Sequence, residues 1–136
     1  MRTVFAVLAV LGVVAAAVPA AAQQPPRSVV SIYRAAPGQQ AALLKWFAGQ
    51  DQISQAAGMP ASQLYVHQDG ASWDFVVIAP ASTREQDAAL DAAAKKLGAP
   101  TGPMVGMELR KFIAEHTDTF AAGPTSAAVW LKQLGQ

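Results

Sequence analysis

Two stretches, SVVSIYRA at residues 28–35 and SWDFVVIA at residues 72–79, decide how this chain folds. Both are rich in β-branched and aromatic residues and read as strands. Successive side chains of a strand point to opposite faces. In the first stretch Val30 and Ile32 share one face and Val29 and Tyr33 the other; in the second, Trp73, Phe75 and Val77 oppose Val76 and Ile78. A strand that is apolar on both faces is buried on both. The sheet built from these strands therefore needs two covers.

The flanking sequence supplies helices for one of them. Pro37-Gly38 closes the first strand, and residues 39–57 follow as a helix in which Leu43, Leu44, Trp46, Phe47, Ile53 and Ala57 recur at three- and four-residue spacings. Gly58 and Pro60 stop it. Residues 63–68, QLYVHQ, form a second strand, and Asp69-Gly70 is a turn signal that joins it to residues 72–79 as a hairpin. Residues 83–97 form a second helix, capped by Ser82 or Thr83, with Glu85 and Asp87 in the first turn and Lys95 and Lys96 in the last. Residues 104–115 read as a shorter helix, 116–122 as a last strand, and 125–134 as a terminal helix striped by Val129, Trp130 and Leu134. Trp46, Phe47, Trp73, Phe75, Phe112 and Trp130 are assigned to the core.

The order is β-α-β-β-α-(α)-β-α, which reduces to a split βαβ pattern. The connection rules set strands one and three in the middle, read here as parallel neighbours, and strands two and four at the edges. Helices cover one face. The simplest cover for the other is a second copy of the sheet, so a homodimer through the sheet face is expected.

This pattern, its length, and a strand followed by Pro37-Gly38 before the first helix resemble the dimeric α/β-barrel superfamily, which includes antibiotic-biosynthesis-monooxygenase-like proteins. The resemblance implies an α+β class: a ferredoxin-like βαββαβ antiparallel sheet, with an extra helix before the last strand and a C-terminal helix. It covers residues 28–122 and rests on element order. The segments Leu64-Tyr65-Val66-His67, Ala71-Ser72-Trp73-Asp74 and His116-Thr117-Asp118-Thr119-Phe120 are also similar to those of uncharacterised exported bacterial proteins. Haem-degrading and polyketide-oxidising members of the superfamily rely on an Asn, and this sequence has none. Neither activity is carried over, while the fold expectation stands.

The N-terminus reads as an export signal. Arg2 precedes an apolar, charge-free run from Val4 to Val18; Pro19 breaks it, and Ala20-Ala21-Ala22 fits a small-residue cleavage site. Against a retained membrane anchor, the small-residue exit and the proline favour cleavage after Ala22. Residues 1–22 are thus expected to be a signal peptide, 23–27 a Pro/Gln linker, and 28–136 a single domain, periplasmic or secreted and without a membrane anchor. There is no Cys, so no disulfide or thiol nucleophile is available. Lys and Arg number 10 against 9 Asp and Glu, and loss of Arg2 balances them. No basic face exists for nucleic acid, and a near-neutral surface permits self-association.

No phosphate loop, His-Glu-x-x-His or Gly-x-Ser-x-Gly motif occurs. The 2 histidines each begin a His-x-acid pattern, His67 with Asp69 and His116 with Asp118. Together they suggest a two-His, two-carboxylate metal set. The edges carrying them are taken to run parallel, which puts the histidines at opposite ends and about 14 Å apart, so no metal is expected. His67 reads as a strand-end residue bonded to the Asp69-Gly70 turn. His116 is placed at the same end of the sheet as Arg34, Ala79 and the start of strand two, where a pocket mouth forms. Asp118 and Arg34 then partner His116 or a polar ligand. Tyr33 and Tyr65 have hydroxyls to place beside Trp73. The expected ligand-binding set is Tyr33, Arg34, Tyr65, His67, Trp73, His116 and Asp118, with no catalytic residue assigned and no cofactor expected. Two functions follow: a protein that binds or oxidises a small apolar or aromatic molecule, or a non-enzymatic envelope or secreted interaction module. Haem binding through either histidine is a weaker third.

Overall fold

The computed structural model describes residues 25–70 and 72–136, and the expected signal segment lies outside them. A central strand, β1 (Arg27–Ala35), is paired on both edges, with β3 (Phe75–Pro80) on one side and β4 (Ile113–Ala122) on the other; β2 (Gln63–Val66) lies outside β3. Every neighbouring pair is antiparallel. This corrects the expectation that strands one and three run parallel. The helix α1 (Gln40–Ala56) carries the chain back, so β2 runs in the direction of β1. The β2–β3 connection then reverses it and inserts β3 between them. Helices α2 (Arg84–Lys96) and α3 (Pro103–Leu109) make the second crossover, and α4 (Ala127–Gln133) ends the chain. The arrangement is the ferredoxin-like βαββαβ fold with the two extra helices that the sequence implies.

Two boundaries differ from the sequence reading. The third helix stops at Leu109, and β4 begins at Ile113 rather than at His116. Ile113 pairs with Ala35 and Glu115 with Arg34, Ala114 being skipped at the register shift, and the Phe112 carbonyl accepts from the Ala36 amide at 2.9 Å. Strand pairing plus burial of Phe112 and Ile113 against the core outweighs their helical spacing. The hairpin loop is also wider than a two-residue turn, because β3 starts at Phe75 and not at Ser72. Asp74 is used there as a clamp. Its amide donates to the Tyr33 carbonyl at 2.8 Å, and its Oδ2 accepts from the Ala35 amide at 2.8 Å.

The helices cover one sheet face. Tyr33, Ala35, Leu43, Phe47, Phe75 and Leu109 form the main core, with Trp46, Val77, Phe112 and Ile113 packed against it. Phe47 meets Tyr33 and Phe75 edge-on at centroid distances of 5.1 and 5.7 Å, the geometry that aromatic quadrupoles favour. Ile53, Ala93 and Ala94 make a second cluster between α1 and α2. Thr83, not Ser82, caps α2 in a reciprocal capping box with Gln86. Trp130 departs from its core assignment: it is 42% exposed, and α4 buries none of its residues. Seven residues offer too few apolar contacts to draw the helix onto the sheet.

Leu43 is fully enclosed, at 0% exposure. Leu43→Ala is expected to cost about 2–5 kcal/mol, read as a lower urea midpoint at unchanged slope.

Candidate functional site

The antiparallel register rearranges the expected site. Because β2 and β4 run in opposite directions, His67, just past the end of β2, and His116, near the start of β4, stand at the same end of the sheet. Ala79 and the start of β2 lie at the other end, since Ala79 pairs with Val29 and Gln63 with Ile78. Both placements correct the sequence reading, and both follow from the strand directions. His116 is also a strand residue, paired with Tyr33, rather than a loop residue.

On the helix side the register makes a block of four. Tyr33 pairs with His116 and Ser31 with Asp118. Tyr33 is buried, and its ring lies parallel to the His116 imidazole at 5.7 Å, 10° from coplanar. His116 Nε2 is 3.5 Å from Asp118 Oδ2, long for a direct hydrogen bond. Burial holds the Tyr33 phenol above its ordinary pKa; hydrogen bonding with Ser31 partly offsets this, and the Asp118 charge adds to it. Tyr33 thus stays protonated at neutral pH, beside an imidazole with a carboxylate nearby. No group of three or more potential metal ligands occurs among the described residues.

The other expected residues lie elsewhere. Arg34 is on the opposite face and pairs with Glu115, its cross-strand neighbour, at 2.8 Å. Both side chains are exposed, so the pair contributes roughly 0–1 kcal/mol. The His67 ring rests on Trp73 at 4.7 Å, and its Nε2 is buried without a hydrogen-bond partner. That replaces the expected bond to the Asp69-Gly70 turn, because the wider loop brings Trp73 back over the imidazole. A small hollow of about 200 Å³ beside Trp73 and Arg34 also takes in Ile32 and Glu115.

Tyr65 marks a feature that the sequence reading missed. It lines an open cavity of about 500 Å³ on the sheet face that the helices leave bare. Val30, Ile78 and Ala121 form its floor, and Pro26, Pro60, Pro80 and Pro124 stand at its edges. None of these carries reactive chemistry. The one available signal was that a proline sits before β1, before β2, at the end of β3 and after β4. In an antiparallel sheet, those four positions share one end. A second groove of about 370 Å³ between α1 and α2 is a packing seam beside Ile53, Leu90 and Ala94.

No protein-family profile and no curated protein matches this chain. Among solved structures, it is similar to a dimeric protein of unknown function with a ferredoxin-like fold from Bacteroides fragilis, at 7% identity and TM-score 0.46 over 71% of this chain and 95% of that one. It is similar to a dimeric ferredoxin-like protein from an uncultured marine organism, at 12% identity and TM-score 0.47 over 77% and 92%. An antibiotic-biosynthesis-monooxygenase-like structure from Chloroflexus aurantiacus aligns at 23% identity and TM-score 0.41 over 74% and 96%.

The Tyr33 environment predicts an alkaline signature. A phenol whose folded-state pKa lies above the ordinary 10.0 favours the folded state below that pH, and this contribution is lost as pH rises beyond it. Stability is expected to fall with pH above 10, and Tyr33→Phe is expected to shallow that decline. Urea titrations of both proteins across that range check it.

Proposed function

We propose that the chain acts as an exported homodimer that binds a small apolar or aromatic molecule, its two copies pairing through their bare sheet faces. The carrying observation is the centre of that face. Ile32 pairs with Val76 and Val30 with Ile78, so four aliphatic side chains share it. None of the four belongs to the helix-side core: Val30, Val76 and Ile78 are half-buried and Ile32 is 42% exposed. Contiguous apolar patches of this kind mark interaction surfaces. The stripe is flanked by Tyr65 and Gln63 on β2 and by Thr117 and Thr119 on β4, and the Arg34–Glu115 pair closes one end. An uncharged aliphatic stripe of this kind can pack against its own copy, as a two-fold interface requires. The cavity beside the stripe supplies the ligand space.

Export rests on the N-terminal sequence. Among the described residues no helix is long and apolar enough to cross a membrane. Cleavage after Ala22 gives a protein beginning at Gln23, and an intact-mass measurement on material recovered outside the cytoplasm is expected to show that terminus. A protein retaining residues 1–22 there would refute it.

A second reading, an interaction module, is favoured by α4, whose Val129, Trp130, Leu131 and Leu134 are all exposed.

The pairing is tested at Ile32. A carboxylate placed in the middle of both facing sheets is desolvated without a partner, so Ile32→Asp is expected to weaken the dimer by at least about a hundredfold while leaving the monomer folded. Light scattering and circular dichroism on the same samples read both. An unaltered chain that stays monomeric at high concentration would sink the pairing.

A further inference from the structure

The cavity on the bare face is a tray rather than a pocket. We infer that it becomes a binding site for a neutral apolar or aromatic molecule only when a second copy of the chain closes it. This rests on the face-to-face pairing proposed above and adds that ligand and partner bind cooperatively.

The floor and the walls belong to one chain. Val30, Ile78 and Ala121 lie on the sheet, and the walls rise from Pro26 entering β1, Pro60-Ala61 entering β2, and Gly123–Thr125 leaving β4. Two of the walls are tied together. The Gly123 amide donates to the Pro26 carbonyl at 2.8 Å, and Ser28 Oγ donates to the Gly123 carbonyl at 3.0 Å. The polar groups around the tray are already engaged. The Arg27 guanidinium lies 3.7 Å over the Phe120 ring, and the Tyr65 hydroxyl donates to Gln63 Oε1 at 3.3 Å. Phe120 pairs with Val29, so the guanidinium is held on the helix side, and Arg27 is the one charged residue among the described residues that line the tray, which suits a neutral ligand. The long Tyr65–Gln63 bond is the one that can turn to meet a single polar group on it.

The roof is missing. Ligand sites enclose most of a small molecule's surface, whereas a molecule lying in this tray keeps one side in water. Facing sheets pack about 10 Å apart, a gap filled by side chains from both. At this end of the face the side chains are small, Ser28 and Ala121 among them, and they pair directly across β1 and β4. Two copies in contact along Ile32 and Val76 therefore leave space over the tray for a guest. Binding and pairing then favour each other by the same factor at each site.

N-phenyl-1-naphthylamine, neutral and fluorescent out of water, is the probe. It is titrated into protein at concentrations on both sides of dimer dissociation, with light scattering on the same samples. Probe affinity is expected to rise about tenfold from monomeric to dimeric samples, and saturating probe to tighten the dimer by a similar factor per site. Ile32→Asp lies outside the tray; its monomer is expected to lose the probe with every tray residue intact. Ala121→Trp fills the floor and is expected to stay folded by circular dichroism, stay dimeric and lose the probe. A dimer whose probe affinity is independent of concentration, or an Ile32→Asp monomer that binds as the unaltered chain does, overturns this inference alone. A chain monomeric throughout overturns the pairing, and the closed tray with it.

Discussion

The structure depends on β1 being satisfied on every side. Both edges are hydrogen-bonded, six residues pairing with β3 and nine with β4, so its backbone has no free polar edge to hide. Its side chains alternate between two environments: Ser31, Tyr33 and Ala35 are buried under the helices, while Val30, Ile32 and Arg34 face away. Register is therefore strongly specified. A slip of one residue would carry Tyr33 out of the aromatic core and put Ile32 and Arg34 into it. The Asp74 clamp on Tyr33 and Ala35 sits at the irregularity where β1 and β4 shift register. It holds the end of β1 that faces the β4 bulge to the hairpin, the place where slippage would otherwise begin.

The chain covers one side of this strand unevenly. Leu43 and Phe47 of α1 reach the middle of the sheet, and α2 packs onto α1 through Ala93 and Ala94, whose small side chains allow close approach. The outer strands receive little. Phe120 on β4 is 62% exposed, with only the Arg27 guanidinium over its ring. A helical layer centred on β1 and β3 leaves the edges of the sheet for other contacts. Both faces near β4 are thus accessible, the Tyr33–His116–Asp118 block on one and the tray end on the other.

Element order was legible because periodicity and punctuation agree. Val30, Ile32 and Tyr33 alternate, Leu43 and Phe47 recur at four, and Gly58, Gly98 and the prolines stop what they should stop. Strand direction was not legible in the residues themselves. It follows only from tracing the crossover through α1, and the parallel assignment moved His67 and His116 to opposite ends when they share one. Proximity without a shared face still separates them: His116 lies with Tyr33 on the helix side, and His67 is held against Trp73 at the hairpin. Tyr33, His116 and Asp118 were singled out by their chemistry, and the register places them side by side. Arg34 was found, but its partner Glu115 was not, since a cross-strand pair 81 residues apart leaves no local pattern. The tray was invisible for a different reason: Val30, Ile78, Ala121 and four prolines carry no reactive group, and only their convergence gives them meaning.

The bare face also has a polarity along its strands that bears on how two copies can meet. One end carries Arg34 and Glu115, the middle carries Ile32 and Val76, and the far end narrows to Ser28 and Ala121 over the tray. Large charged side chains cannot be desolvated cheaply, so the Arg34–Glu115 end must stay at a wet rim while the aliphatic middle is buried. Small side chains impose no such condition, and they leave volume where the charged end leaves none. In the proposed pairing the central stripe would fix where contact is made, and the Arg34–Glu115 end would limit how far the copies can slide. The tray end supplies space that neither copy fills with its own atoms. Ser28 is buried and its Oγ is committed to the Gly123 carbonyl, so in the proposed pairing Ala121 is the position where a larger aliphatic group would fill the gap, since unfilled volume between packed layers forfeits dispersion contacts. A small residue at 121 suits the proposal that this end of the face also holds a guest.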